Sequence, residues 1–482
     1  MSLLSTISPK WAYKRAVWRQ AYQIQRSYDA GMYDRTNRNW LAVNESGEAT
    51  DRNYRDTVRA RSRDLERNSD IMNSAVLPWV RNVIGKGFEL EAKSEDTVFN
   101  DEIENLWNKW CKKDNCDITG SQSFWEMARM AVRRKRIDGG ILFIKCYTDD
   151  GVVPFKLQAI EVDELDISAF APKTQGNRVV GGIEYDSYNK AVGYWIRQYD
   201  IEGYTQLTPI YVPRERVIFY FSKTRPSQIR EMPEMAASIG RIKELNGFIE
   251  AASIKERIAA CLAVFIKKEL PTNELGMKRP GGPRKSYNDL ELTPGLVTDL
   301  NEGDDLQVVN PGNSATNGTS FIKSILRLIS SGLGVSYEAT SRDLSEANYS
   351  SARQATIEDE ETFIPEQEKL KDEFLDEAYK EFVISAVMSG AVKAPLDFLT
   401  NIDKYINHNW NRKPKKWIDP YKEARANQIA IESGQKTIDE IWREDGRDYR
   451  TVIDDMKKVQ EYAKEKGLKT SLSYLGGGEK DG

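Results

Sequence analysis

The stretch GVSYEATSRDLSEANYSSARQA, residues 334–355, decides how this chain is read. After Gly334 it holds no glycine and no proline, and it carries four serines from Ser341 to Ser351. Two helical patterns flank it. Upstream, Phe321, Ile325, Leu328 and Ile329 fall on one side of a helix over 319–332. Downstream, Phe363, Leu370, Phe374, Ala378 and Phe382 mark a helix of about 20 residues. A polar segment in that position reads as a loop leading into a capped helix. Asn348 or Ser350 is the expected cap, because Asn and Ser side chains accept from the free amides of a first turn. The serines do not suggest a nucleophile. His408 is the only histidine, no lysine lies in the stretch, and most Ser-His-Asp, Cys-His and multi-histidine metal schemes fall away.

Composition bounds the rest. A chain of 482 residues has room for two or three domains. Its 40% hydrophobic and 30% charged residues are those of a folded, soluble protein. No apolar run reaches about 18 residues and the first 20 lack the apolar core of a secretory signal, so neither membrane span nor leader is expected. Cys111, Cys116, Cys146 and Cys261 are scattered, with no histidine beside them. They read as free thiols in a reducing compartment, and no metal or cofactor is expected. Net charge is −4 but unevenly spread. Residues 1–86 hold 15 Lys and Arg against 9 Asp and Glu, and residues 358–482 hold 21 against 27. A protein that coats phosphates without regard to sequence would be more basic.

Residues 51–84 read as one long helix, ended by Gly85 and Gly87. FELEAK (88–93) alternates as a strand, and helices follow near 99–113 and 122–137. From 139 to 221 the period is two: GGILFIKCY, PFKLQAIEV, GGIEYD, VGYWIRQYD, PIYV and ERVIFYF read as a mostly antiparallel sheet. After Pro233, the steps Met235, Ile239, Ile242, Leu245, Ile249 and Ala252 give an amphipathic helix over 234–258, roughly 37 Å long at its helical rise. Short strand candidates surround a Gly/Pro-rich loop in 261–312, before the 319–332 helix. Two long helices with a small β insertion form an extension that buries little against its own body. Its apolar faces call for neighbours in the chain or in another subunit. Charged helices occupy 420–466, and the Gly-rich end is expected to be disordered.

No catalytic constellation emerges. Glu358, Asp359, Glu360 and Glu361 fan out by about 100° each on a helix and cannot form a metal cage by themselves. They read as an acidic surface. GGPRKS (281–286) and GGGEK (476–480) lack the strand, spacing and helix of a phosphate loop. Arg55, Arg59, Arg63 and Arg67, four apart, form a basic stripe. It is read as a solvated face paired with Asp56, Asp64 and Glu66, or as a contact for nucleic acid or an acidic partner. The eleven tryptophans read as core or interface anchors.

Several runs together resemble the phage portal proteins of the lambda family. They are RSRDLERNSDIMNSAVLPWVRNVIGKGFEL (61–90), LQAIEVDELD (157–166), GGIEYDSYNKAVGYWI (181–196), ERVIFYFSKTRPSQIREMPEM (215–235), the opening stretch, and PKKWIDPYKEARANQIAIESGQKTIDEIWREDGRDY (414–449). The order is kept over nearly the whole chain. One departure stands out: the family's Gly-Gln-x-Arg-Gly run is here Ser227-Gln228-Ile229-Arg230-Glu231, which implies a less tight turn.

The resemblance implies an α+β portal fold. Its parts are an N-terminal arm (1–39), a wing (40–232), stem helix 1 (233–260), a clip (261–315), stem helix 2 (316–336), a tunnel loop (337–349), a long helix with wing return (350–405), a helical crown (406–468) and a disordered tail (469–482). It implies a homo-oligomeric ring, a dodecamer, at one capsid vertex of the virion, assembled in the host cytoplasm, with no enzymatic activity. The implied partners are the terminase large subunit, head-completion or adaptor proteins, the major capsid and scaffold proteins, and double-stranded DNA passing through without sequence specificity. Arg342, Asp343, Ser345, Glu346 and Asn348 would lie near the DNA path. A nuclease using the acidic residues, or a capsid protein without a channel, are the alternative readings.

Overall fold

The computed structural model describes residues 10, 13–15, 17–18, 42–204, 206–260, 264–268, 304–308, 315–393, 395–412, 420–444 and 449–467. Most of the expected arm and clip, the 281–286 run and the Gly-rich tail lie outside these residues. The described strands are β1 (Phe88–Ala92), β2 (Gly140–Cys146), β3 (Lys156–Ile160), β4 (Arg178–Val180), β5 (Ile183–Tyr185), β6 (Ala191–Ile196), β7 (Ile210–Pro213), β8 (Val217–Phe221), β9 (Val264–Lys268), β10 (Asp304–Val308) and β11 (His408–Arg412). Every ladder between these described strands is antiparallel, and helices complete the mixed architecture.

Contacts divide the chain into two units, the first being 1–53 with 225–228. In it, Ser46 caps the short helix Gly47–Arg52, and the Gly47 amide donates to Ser227 Oγ at 2.7 Å.

The second unit holds the core. The expected single sheet is two: β3-β2-β8 and β4-β5-β6-β7. Strand β2 explains why its sequence, GILFIKC, is almost continuously apolar. Successive side chains point to opposite faces, and both faces are covered. Leu142 and Ile144 join a cluster with Ile183, Tyr194, Ile196 and Val212 of the second sheet, while Ile141 and Phe143 join the main helical core.

That core is aromatic. Helices Thr97–Trp110 and Phe124–Asp138 bring Trp107, Trp110 and Phe124 together, with centroids 4.9–5.4 Å apart, and Trp110 Nε1 donates to the Phe155 carbonyl at 2.7 Å. Burying each such ring is worth about 1.5–3 kcal/mol. The helix expected around 363–382 is much longer. It runs Tyr349–Leu370, a π-helical segment Lys371–Leu375, and Asp376–Met388. The π segment carries Phe374, which lies 5.3 Å from Phe124 and 4.5 Å from Phe143, centroid to centroid.

Two further boundaries differ from expectation. The 51–84 helix is broken: Arg55–Asn68 and Asp70–Val83 meet at Ser69, whose backbone is extended and whose hydroxyl accepts from the Met72 amide. A serine cap competes locally with helix continuation, and hydrophobic periodicity does not register it. Within the segment expected as the crown, residues 408–412 form β11, which pairs with β1 in the register Phe88↔Arg412 to Ala92↔His408. The remaining helices there are Pro420–Glu432, Ile438–Glu444 and Tyr449–Glu465.

The two long helices are Ala236–Ala260 and Ala315–Gly332. Met235, Ile242, Leu245 and Ile329 are buried in the core, whereas Ile249, Ile254, Phe321 and Leu328 are exposed. Phe248 and Phe321 meet at 4.7 Å.

A buried ionic cluster ties the entry of the first long helix to the long C-terminal one. Lys135 Nζ pairs with Glu366 and, at 3.2 Å, with Glu234. Arg136 pairs with Glu234 at 2.5 Å and lies over the Trp79 ring. The Tyr220 hydroxyl donates to Glu366. Burial, with the Glu366 charge beside it, pushes the Tyr220 pKa well above its usual value. Removing one partner of a buried pair leaves an uncompensated charge, at a cost of about 3–5 kcal/mol. Glu366→Ala is therefore expected to lower the unfolding free energy by that amount. Glu377→Ala, at the half-exposed partner of Lys145, should cost about 1 kcal/mol or less. Denaturant unfolding of the two variants side by side checks the difference.

Candidate functional site: the 342–348 loop

The opening stretch is built from local capping. The chain leaves the 315–332 helix through Gly334, whose φ of +72° favours glycine and whose added Cβ would stand 3.1 Å from Thr362. Ser336 then caps the short helix Tyr337–Ser341, its hydroxyl accepting from the Ala339 amide at 3.1 Å. The amide and hydroxyl of Ser336 donate to the buried Asp359 carboxylate at 2.6 and 2.7 Å. Of the 337–349 stretch expected as a tunnel loop, residues 337–341 are helical and 342–348 are the non-helical part before the next helix.

Arg342 ends that helix in the left-handed region, φ 58°, ψ 20°, with its amide donating to the Glu338 carbonyl. A non-glycine residue there carries a cost of order 1–3 kcal/mol. Its side chain is exposed, and no ion pair holds it among the described residues. The two acids that follow are held. Asp343 Oδ1 accepts from the Ser345 amide at 3.0 Å and hydroxyl at 2.6 Å, and Oδ2 accepts from the Tyr337 hydroxyl at 3.1 Å. Lys323 Nζ stands 3.6 Å from Asp343 and 2.7 Å from Glu346, and Arg327 donates to Glu346 at 3.1 Å. Asn348 caps the long helix: its Oδ1 accepts from the Ser351 amide at 2.8 Å, and Ser351 Oγ accepts from the Asn348 amide at 3.0 Å.

The electrostatics follow from these contacts. The Ser345 hydroxyl and amide, then Tyr337 and Lys323, hold the Asp343 carboxyl at about 2. Lys323 holds the Glu346 carboxyl below its usual value, and Glu346 raises Lys323 in return. A depressed carboxylate contributes stability above its unfolded pKa, near 3.8 for Asp343, and loses it as pH falls through the folded one, about 2. Protection of the Ser345 amide from hydrogen exchange, measured against its intrinsic rate at each pH, is expected to fall over that window.

Ser350 is not the cap. It lies exposed in the first turn. A cap at 350 would place its reciprocal partner at Arg353, whereas Asn348 finds Ser351. The arginine stripe is not a solvent-facing surface either. Arg55 and Arg59 are buried: Arg55 donates to the Glu231 carbonyl at 2.9 Å, and Arg59 pairs with the Glu231 carboxylate at 2.9 Å, with Asp163 at 3.0 Å and with Asp56. Arg63 pairs with Asp138 at 2.7 Å and Asp163 at 2.6 Å, and Arg67 alone of the four is exposed. Of the partners expected from sequence only Asp56 takes part, because Asp138, Asp163 and Glu231 reach the stripe through the fold.

Glu231, standing where the family run has glycine, is fully buried and also takes Arg230 at 2.8 Å. The four consecutive acids diverge: Asp359 anchors Ser336, Glu360 pairs with Arg412 at 3.1 Å, and Glu358 and Glu361 are exposed. Among the described residues no group of three or more His, Cys, Asp and Glu is arranged to hold a metal ion.

Sequence reasoning missed Lys323 and Arg327. Their signal is spacing, since residues four apart on a helix share a face. Asn348→Ala is expected to cost about 1 kcal/mol through loss of the cap, and Ser350→Ala less than about 0.5 kcal/mol. Equilibrium unfolding of both variants separates the two residues.

Comparison with known proteins adds identity to this geometry. The family described as phage portal protein, lambda family, matches residues 33–367. A probable portal protein of Halomonas phage phiHAP-1 is 25% identical over 462 residues, covering 91% of this chain and 87% of that one. The portal protein of Escherichia phage N15 is 24% identical, covering 86% of each chain. Among solved structures, a chain in the neck of an empty gene transfer agent particle aligns with a TM-score of 0.43 and 12% identity, over 78% of this chain and 90% of that one. The family match spans more than half of the sequence, and the chain belongs to the lambda family of phage portal proteins.

Proposed function

We propose that copies of this chain form a ring, a dodecamer, around a channel at one capsid vertex. Double-stranded DNA is packaged through that channel and later ejected. In this reading the paired helices 236–260 and 315–332 are the stem, the β9–β10 insertion belongs to the clip, the body up to 232 is the wing, and the helices after 420 form the crown. The clip docks the terminase large subunit and afterwards the head-completion or adaptor proteins, while the major capsid and scaffold proteins surround the wing.

The observation that carries the reading, beside the family match, is the uncovered apolar surface of the helical pair. Ile249, Ile254, Phe321 and Leu328 are exposed on helices that bury Ile242, Leu245 and Ile329 against the body. Such faces are covered when identical subunits pack around a closed ring. A lining of mixed charge suits a conduit, because a basic one would bind phosphate through counterion release and retard sliding DNA. The divergence of the four acids gives no support to a two-metal nuclease.

Negative-stain microscopy of the purified full-length protein is expected to show rings of about a dozen subunits around a hole. Top views without a central hole would contradict the proposal. Within that frame the 342–348 loop lies near the DNA, with Arg342, Asp343, Ser345, Glu346 and Asn348 exposed or half-buried on it. Arg342→Ala combined with Asp343→Ala is expected to impair packaging or DNA retention with ring assembly intact. Loss of assembly would make the stretch a packing element.

A further inference from the structure

The cations facing the loop have a use that the loop acids now fill. Lys323 and Arg327 are one turn apart on the 315–332 helix, and both donate to Glu346, a residue whose own side chain is 65% exposed. Asp343 stands on the same lysine. Arg327 also lies over the Tyr337 ring at 5.3 Å, so its guanidinium is oriented rather than free to turn away. Two oriented cations facing two carboxylates on a short loop make an anion site with a built-in occupant. The tether keeps the local carboxylate concentration high without any tight intrinsic affinity.

We infer that Lys323 and Arg327 form a phosphate-exchange site, at which phosphodiesters of double-stranded DNA take the place of Glu346 and free the 342–348 loop from the helix. The inference rests on the portal reading, because it needs DNA to pass the loop. Its chemistry is a swap of anions at fixed cations. A duplex presents one charge per about 1.7 Å of axis, so phosphates arrive continuously at any fixed lysine or arginine. Bare cations would hold them. Cations already paired with a tethered carboxylate gain little by the exchange, so each contact is brief and the duplex keeps moving. Arg342, exposed and without an ion pair among the described residues, travels with the freed loop.

The test uses the full-length assembled protein and a 30-bp duplex, with binding followed by fluorescence anisotropy across a salt series. Glu346→Gln uncovers Arg327 and leaves Lys323 with Asp343 alone, at 3.6 Å. It is expected to tighten duplex binding by roughly tenfold or more and to steepen the fall of affinity with salt, since each added phosphate contact contributes a slope of about 0.9. Glu338→Gln removes one equal charge in the neighbouring helix without touching Lys323 or Arg327, and should leave affinity near wild type. Adding Lys323→Ala and Arg327→Ala to Glu346→Gln should abolish the gain. Wild-type affinity and salt slope in Glu346→Gln, or an equal gain from Glu338→Gln, overturns the exchange site. Microscopy of the same samples keeps the two readings apart. Rings with unchanged DNA binding reject the exchange site alone, whereas the absence of rings in the wild type rejects the portal reading.

Discussion

Glu366 and Lys135 are the pair on which the geometry of the loop depends. The lysine sits in the last turns of the 124–138 helix, and the carboxylate in the long helix that Asn348 caps. Glu234, two residues before the 236–260 helix, shares the same lysine. One buried cation therefore fixes both the start of the first long helix and the direction of the helix that carries the loop's far end. Replacing such a cluster with apolar side chains can be neutral in energy, but apolar packing would not specify direction as paired charges and the Tyr220 hydroxyl do. The aromatic core around Trp107 supplies the bulk of the burial, and the ionic cluster orients what is buried.

Charge is arranged in this chain by masking rather than by depletion. Arginines that look like a nucleic-acid stripe are consumed inside the body by Asp163, Asp138 and Glu231. At the loop, Lys323 and Arg327 are matched by Asp343 and Glu346. The net charge of −4 thus understates how many cations the fold holds, and overstates how few it needs to hide. A surface built to let a polyanion slide requires that its cations be covered, with the cover loose enough to lift. Pairs between exposed side chains contribute little stability, which is the property such a cover needs.

Periodicity made most of the fold legible. The steps of Ile242 and Leu245 marked a helix, although Met235 precedes it and Ile249 is exposed. The period-two reading of GILFIKC marked a strand without showing that both its faces are covered. Failures came where a single polar side chain outweighed the period, as at Ser69, or where pairing joined distant segments, as between β1 and β11. The loop itself was legible as a segment, because polar residues stood between two amphipathic patterns. Its cap was narrowed to two residues, and only the reciprocal bond with Ser351 selected Asn348. Lys323 and Arg327 were hidden because their importance depends on where the chain returns after Gly334. The burial of Arg55 and Arg59 was hidden for the same reason, since Asp163 and Glu231 lie more than a hundred residues away in sequence.

The central claim is that the 342–348 loop faces the channel of a ring while its acids rest on Lys323 and Arg327. A cryo-electron microscopy reconstruction of the assembled full-length protein without DNA tests it most directly. The account predicts a closed ring in which the loop lines the inner wall, with Glu346 within ion-pair distance of both cations. A ring with this loop on its outer surface, or an assembly without a channel, would contradict it.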